Sequence, residues 1–275
     1  MKKILTFLLL TITLSVFSQE EERLHTAAAN VKVIETPLHF PRIDRERQIR
    51  IYLPPNYSAT KKDYEVLYMH DGQNLFDDAT SFVGEWGVDE VLNELYKEKG
   101  LELIVVGIDN GQQHRMLELT GWDHEKYGKA EGKEYMNFII RVVKPYVDDH
   151  YRTLSSWEHT GIMGSSMGGL ISHYAMFQYS GYFSKAGIFS PSYWYGEGPF
   201  EQVKKLKLAP EAKLFLYMGG KEGDMMVDNF NKMIDLLKEE GYSDQIRTKI
   251  TPEGEHKEPF WKAELKEALL WLYSK

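Results

Sequence analysis

The chain has 275 residues, of which 43% are hydrophobic and 27% charged, and its formal net charge at pH 7 is −8. This composition is typical of a globular protein with a sizeable core, and an acidic chain without a basic run is a poor partner for nucleic acid. Because the sequence has no cysteine, disulfides, thiolate nucleophiles and cysteine-ligated metals are excluded.

The first residues have the pattern of an export signal. Lys2 and Lys3 precede an almost wholly apolar run at 4–14, which is too short for a comfortable membrane span. We therefore expect a signal peptide at 1–18, a single domain at 19–275, and a secreted or periplasmic protein without stable membrane insertion. An uncleaved membrane anchor is the alternative interpretation.

Strands and helices alternate along the remaining chain. Two β-branched runs, at 31–34 and 48–53, predict an antiparallel pair. Apolar runs predict further strands at 64–69, 101–108, 160–163, 185–189, 213–217 and 245–250. Helical spacing predicts helices at 86–97, 132–147, 170–179, 225–240 and 258–273, with Pro145 kinking or ending the second.

This alternation predicts an α/β fold, with a doubly wound, mostly parallel sheet and helices on both faces. The chemistry of such folds lies at the carboxyl ends of the strands. Four loops should therefore meet, those that follow Met69, Met163, Tyr217 and Ile250.

A G-x-S-x-G pattern centred on Ser166 lies between a predicted strand and a predicted helix. Gly164 and Gly168 permit the sharp, strained turn that presents a serine hydroxyl, and the helix N-terminus favours developing negative charge. The pattern predicts that Ser166 is a nucleophile and leaves Ser165 outside the motif. A glycine-rich turn without chemistry is the alternative.

A serine hydroxyl needs a base within hydrogen-bond reach. α/β hydrolases carry the nucleophile, the acid and the histidine in that chain order. Only His173 and His256 follow Ser166, and His173 falls inside a predicted helix. We therefore predict that His256, in a polar loop, is the general base.

The acid should come from the loop at 218–224, which holds Glu222 and Asp224. We favour Glu222 because Asp224 adjoins a helix start, where aspartate commonly serves as the N-cap. Either carboxylate can hold the imidazole tautomer and stabilise its cation.

Other loop residues are candidates for binding. The backbone N–H groups of Met167 and Gln73 are the predicted oxyanion hole. Trp86, Trp122, Trp194 and Arg115 are predicted to contact substrate, with the run at 193–195 forming an aromatic wall. For the tryptophans the alternative is core packing, and for Arg115 it is an ion pair with Glu118.

Several of these segments, taken together, resemble the putative esterase family, which includes esterase D, enterochelin-esterase-like proteins and bacterial feruloyl and acetyl xylan esterases. The segments are 68–76, 85–89, 104–110, 164–169 and 254–256, with Trp261 behind them. The resemblance implies an α/β-hydrolase fold, no cofactor or metal, and a triad of Ser166, His256 and an acid in the loop at 219–224. Many members carry an aspartate three residues after the glycine, where this chain has Glu222.

These patterns predict a serine carboxylic-ester hydrolase that acts through an acyl-enzyme. The expected substrate is a small-molecule or oligosaccharide ester, with an acetyl or feruloyl group linked to carbohydrate. A siderophore trilactone esterase, an acyltransferase and a non-catalytic binding protein of the same fold are the alternatives.

Overall fold

The computed structural model describes residues 23–273, so the signal peptide predicted at 1–18 lies outside the described part of the chain. Its strands are β1 Val31–Val33, β2 Leu38–Phe40, β3 Arg45–Arg47, β4 Ile49–Tyr52, β5 Glu65–His70, β6 Leu103–Ile108, β7 Thr160–Ser165, β8 Lys185–Phe189, β9 Lys213–Gly219 and β10 Ile246–Thr251. Its α-helices are α1 Val88–Lys99, α2 Arg115–Glu118, α3 Gly132–Phe138, α4 Lys144–His150, α5 Met167–Gln178, α6 Gly198–Lys205, α7 Asp224–Glu239 and α8 Glu258–Tyr273. No helix between residues 23 and 273 has the length and hydropathy needed to cross a membrane.

Eight strands form one sheet in the order β1-β4-β6-β5-β7-β8-β9-β10. The strands from β5 to β10 pair in parallel, whereas β4 is antiparallel to both β1 and β6. The predicted doubly wound sheet of the α/β-hydrolase fold is confirmed, and so is the antiparallel pair at its edge. The separate β2–β3 hairpin was not predicted from the sequence.

The two faces of the sheet bury two hydrophobic layers. Along β5, Val66 and Tyr68 pack into one layer and Leu67 and Met69 into the other, because successive side chains of a strand point to opposite faces. Helices α1 and α8 cover one face, and α3 to α7 cover the other. Parallel strands buried on both faces are continuously apolar, as the sequence of β6 shows.

The helix that contains Pro145 does not end where the sequence predicted. It continues through a π-helical segment, Ile139–Val143, into α4 and ends at His150. Proline has no N–H to donate, and its ring crowds the carbonyl four residues earlier. The wider π-helical turn directly before α4 accommodates that mismatch.

Candidate active site

Ser166 lies in a strained turn between β7 and α5. Its φ is 58° and its ψ is −120°, a backbone conformation that a residue with a side chain rarely adopts. A Cβ atom on Gly164 would lie 2.8 Å from the carbonyl carbon of Gly168, so the turn needs glycine at this position. The turn places Ser166 at the carboxyl edge of the sheet and at the N-terminus of α5.

Ser166 and His256 line the same cleft, which has a volume of about 750 Å³. Ser166 Oγ lies 3.4 Å from Ser192 Oγ, and no hydrogen bond joins Ser166 Oγ to His256 in this structure. Catalytic hydrogen bonds are often long in unliganded enzymes and tighten when the substrate binds. The His256 side chain is 37% exposed, so a substrate in the cleft can reach it.

Glu222, rather than Asp224, lies against the imidazole. His256 Nδ1–H donates to Glu222 Oε2 over 2.6 Å, and the Glu222 side chain is fully buried. Asp224 is exposed and is the first residue of α7, with Gly223 at the N-cap. The N-cap role considered for Asp224 is therefore wrong, although a carboxylate in the first turn still favours the helix dipole.

The second oxygen of Glu222 is held by two donors. Glu222 Oε1 accepts hydrogen bonds from the Gly219 N–H at 2.9 Å and the Ser190 hydroxyl at 2.5 Å. Ser190 Oγ in turn accepts the indole N–H of Trp261 at 2.9 Å. Ser190 was not predicted from the sequence, where its one local signal is its position directly after β8.

Backbone contacts fasten the Glu222 loop to the His256 loop. The N–H of Lys221 donates to Gly254 O at 2.8 Å, and a Cβ atom on Gly219 would lie 2.5 Å from that same oxygen. Residues without a Cβ are therefore needed where the two loops cross. This contact fixes how the carboxylate and the imidazole approach each other.

The two backbone N–H groups predicted to form the oxyanion hole belong to Met167, which follows Ser166 in the chain, and to Gln73. Met167 is the first residue of α5, so its N–H has no acceptor within the helix. Gln73 lines the cleft, and its side chain is occupied because Gln73 Oε1 accepts the Asn110 N–H at 3.1 Å. Among residues 23–273, neither the Gln73 N–H nor the Met167 N–H donates to a protein acceptor. Both groups can therefore donate to a developing oxyanion.

Arg115 lines the cleft and forms an ion pair with Asp71. Its Nε and Nη2 atoms donate to the two Asp71 oxygens at 2.6 and 2.9 Å. Burial disfavours the charged form of Asp71, but the charge and hydrogen bonds of Arg115 outweigh it and lower the pKa of this carboxyl. Glu118 pairs with Arg45 and Arg47 instead, so the suggested Arg115–Glu118 pair is wrong.

The predicted aromatic wall does not form in this cleft. Trp86 lines it but is only 2% exposed. Trp122 packs edge-on against Tyr174, with ring centroids 5.2 Å apart, and Trp194 packs against Tyr127, with ring centroids 6.2 Å apart. Neither Trp122 nor Trp194 lines the cleft, so the structure does not bring these two tryptophans together with Ser166.

The apolar rim of the cleft comes from a different loop. Phe82 is 80% exposed and Val83 62% exposed, and both line the cleft. Neither was predicted from the sequence, because an exposed hydrophobic residue in a loop has no periodicity to mark it. Glu258, a buried cleft residue whose carboxyl pKa is raised by burial, was also not predicted.

A second histidine in the cleft is not equipped to act as the base. His70 is buried, its Nδ1 atom lies 2.8 Å from Tyr135 Oη, and burial lowers its pKa to about 4. The helical His173 is also buried, with a pKa lowered to about 3 by burial. Such weak bases accept a proton from serine poorly near neutral pH.

Three carboxylates meet outside the residues that line the cleft. Oxygen atoms of Glu85, Asp89 and Glu90 all lie within 4.8 Å of one another. Lys262 Nζ lies 3.6 Å from Glu90 Oε2, and a cation there offsets part of the local negative charge.

Comparisons with known proteins show the family and the fold of this chain. A family model described as "Putative esterase" matches residues 41–272. The protein YbbA of Bacillus subtilis is 28% identical over 245 residues, which cover 83% of this chain and 93% of that protein. Siderophore hydrolase EstA from Aspergillus nidulans superposes with a TM-score of 0.72 at 18% identity, over 86% of this chain and 93% of that one. A ferulic acid esterase superposes with a TM-score of 0.62 at 18% identity, over 88% of this chain and 98% of that one.

Proposed function

Because the chain belongs to the "Putative esterase" family and is a carboxylic ester hydrolase, we propose that Ser166, His256 and Glu222 are its catalytic triad. One observation carries the proposal. The buried Glu222 carboxylate receives the Nδ1–H of His256 in the cleft that also holds the strained Ser166 turn. The imidazole then turns Nε2 towards the cleft as a proton acceptor.

The proposed reaction has two halves. Ser166 Oγ attacks the ester carbonyl carbon while its proton moves to His256 Nε2, and the N–H groups of Gln73 and Met167 stabilise the oxyanion. The C–O bond to the alcohol breaks as the imidazolium returns that proton to the leaving oxygen. A water molecule then attacks the acyl carbon while His256 Nε2 takes one of its protons. The bond from the acyl carbon to Ser166 Oγ breaks as that proton moves to Oγ, which releases the carboxylic acid and free Ser166.

Ser166→Ala tests the nucleophile, with the neighbouring Ser165→Ala as the matched control. We expect hydrolysis of p-nitrophenyl acetate to fall roughly a thousandfold or more in Ser166→Ala and to persist in Ser165→Ala, with both variants folded by circular dichroism. Intact-mass analysis of quenched wild-type enzyme should detect an acetylated protein that Ser166→Ala lacks. Undiminished turnover in Ser166→Ala would overturn the assignment.

For the substrate, we propose a carbohydrate-linked ester, with a feruloyl group preferred to an acetyl group. The exposed Phe82 and Val83 at the cleft rim offer apolar contact to an aromatic acyl group, which an acetyl group is too small to use. The likeness to a ferulic acid esterase supports this choice. Export by a signal peptide at 1–18 would place the enzyme outside the cytoplasm.

A siderophore trilactone is the second candidate, and Arg115 favours it. In the described part of the chain, Arg115 Nη1 has no protein acceptor although the residue lines the cleft, so a guanidinium edge remains for an anionic chelating group of a siderophore. The likeness to a siderophore hydrolase supports this candidate.

A panel of feruloylated, acetylated and trilactone esters separates these substrates by their kcat/KM values. A higher kcat/KM for the trilactone than for the feruloyl ester would replace the first candidate by the second. Adding a sugar acceptor tests the acyltransferase alternative, because transfer yields an acylated sugar in place of the free acid. A protein that binds these esters without turnover would instead be a binding protein of the same fold.

A further inference from the structure

We propose that Ser190 and Trp261 are positioning residues that hold Glu222 in the orientation in which Oε2 faces His256. The proposal rests on the proposed triad and extends it to Ser190, which acts through Glu222, and to Trp261, which acts through Ser190 and also lines the cleft beside His256. Three hydrogen bonds join these groups in series, from Trp261 to Ser190, from Ser190 to Glu222, and from His256 to Glu222.

The directions of these hydrogen bonds follow from which groups can donate a hydrogen and which can only accept one. An indole Nε1–H can only donate, so Ser190 Oγ must be the acceptor of the Trp261 bond. The single hydroxyl hydrogen of Ser190 is then left for Glu222 Oε1, at 2.5 Å. Since the Gly219 N–H also donates to Oε1, one carboxylate oxygen is held by two donors and the other is presented to the imidazole.

Further contacts hold Ser190 and Trp261 in place. Ser190 is fully buried, has a φ of +43°, and donates its N–H to Tyr217 O in β9 at 2.8 Å. The Trp261 ring meets the His256 ring edge-on, with centroids 5.1 Å apart and an interplanar angle of 85°. One indole therefore flanks the imidazole and also sets the direction of the serine hydroxyl that orients its carboxylate partner.

A purely structural role would have a different signature. A buried serine that only satisfies the Trp261 N–H would cost stability when replaced and would leave kcat unchanged. Positioning instead predicts a loss of kcat, because small misplacements of catalytic groups are amplified in the rate. KM should change little in Ser190→Ala, since Ser190 is not among the cleft-lining residues.

The experiment compares Ser190→Ala and Trp261→Phe with two matched controls. Ser184→Ala removes a buried hydroxyl at the other end of β8, where Ser184 Oγ donates to Glu158 O. Trp271→Phe makes the same aromatic exchange further along α8. We expect kcat for p-nitrophenyl acetate to fall roughly tenfold to a hundredfold in the first two variants and to stay at the wild-type value in the controls, each corrected for the folded fraction.

A second measurement does not depend on turnover. The low-field proton resonance of His256 Nδ1–H, assigned by its loss in His256→Ala, is recorded in Ser166→Ala with and without Ser190→Ala or Trp261→Phe. We expect the second substitution to shift or broaden it. An unchanged resonance, or a wild-type kcat in both positioning variants, would overturn the proposal. If Ser190→Ala does not fold, Trp261→Phe alone decides the test. If Ser166→Ala itself keeps hydrolysing esters, the proposed function fails while this resonance still tests the positioning.

Discussion

Glu222 Oε2 lies 2.6 Å from His256 Nδ1, although the two residues are 34 positions apart in the chain. A carboxylate can only accept a hydrogen bond, so the neutral imidazole carries its proton on Nδ1 and leaves Nε2 free. The same carboxylate would stabilise the imidazolium after proton transfer. The loop crossing at Gly219 and Gly254 holds this pair in place.

Glu222→Gln should lose most activity, whereas Asp224→Asn should not. The amide keeps the shape of Glu222 but removes the negative charge and favours the wrong imidazole tautomer, so we expect kcat to fall roughly a thousandfold to ten-thousandfold. Asp224 is exposed at the start of α7. Steady-state kinetics on a p-nitrophenyl ester measure the difference, and a loss confined to Asp224→Asn would reverse the assignment of the acid.

Arg115→Met should destabilise the fold by about 2–4 kcal/mol at pH 7, because it leaves the Asp71 charge buried without its partner. With Arg115 present, the pKa of Asp71 lies below its ordinary value of 3.8. The pair therefore stabilises the protein above that pH, and this contribution is lost as the pH falls through the folded-state pKa. Urea unfolding measures the effect, and adding Asp71→Asn should recover part of it. Equal stability of Arg115→Met and wild type at pH 7 would contradict the prediction.

Gly219→Ala should impair catalysis by separating the two loops. The new Cβ would lie 2.5 Å from Gly254 O and 2.8 Å from Glu222 Oε1, so the carboxylate must shift. We expect kcat to fall roughly tenfold or more. Gly181→Ala is the control, since a Cβ there meets nothing within 4 Å. A crystal structure with Glu222 in its wild-type position, together with a wild-type kcat, would contradict the prediction.

Asp89→Asn should flatten the pH dependence of stability. Asp89 is fully buried, and burial, together with the nearby Glu90 and Glu85, raises its pKa from 3.8 to about 7. The folded state therefore holds this proton more tightly than the unfolded state does, so the free energy of unfolding falls as the pH rises from about 4 to about 7. Asparagine stays neutral and still accepts the Ala28 N–H, so we expect a gain of roughly 2–4 kcal/mol at pH 8.

Urea unfolding at pH 5 and pH 8 measures this difference. The exposed Asp235→Asn serves as the control and should change stability equally little at both values. A gain for Asp89→Asn that is no larger at pH 8 than at pH 5 would contradict a folded-state pKa of Asp89 between those two values.

The sequence by itself determined the features that depend on residues close together in the chain. Apolar runs and helical spacing identify the strands and helices, since burial of one face imposes those periods. The glycines beside Ser166 mark the turn because a Cβ on Gly164 cannot fit against Gly168. The order of elements then brings the Ser166 and His256 loops to the same edge of the sheet.

Only the tertiary structure decided which side chains meet across that edge. Glu222 and Asp224 differ by two positions, yet the loop crossing turns one towards His256 and leaves the other in solvent. Arg115 pairs with Asp71 rather than Glu118, and Ser190 reaches Glu222 from another strand. Such partners are set by distances between segments remote in the chain, and neither hydrophobic period nor local spacing carries that information.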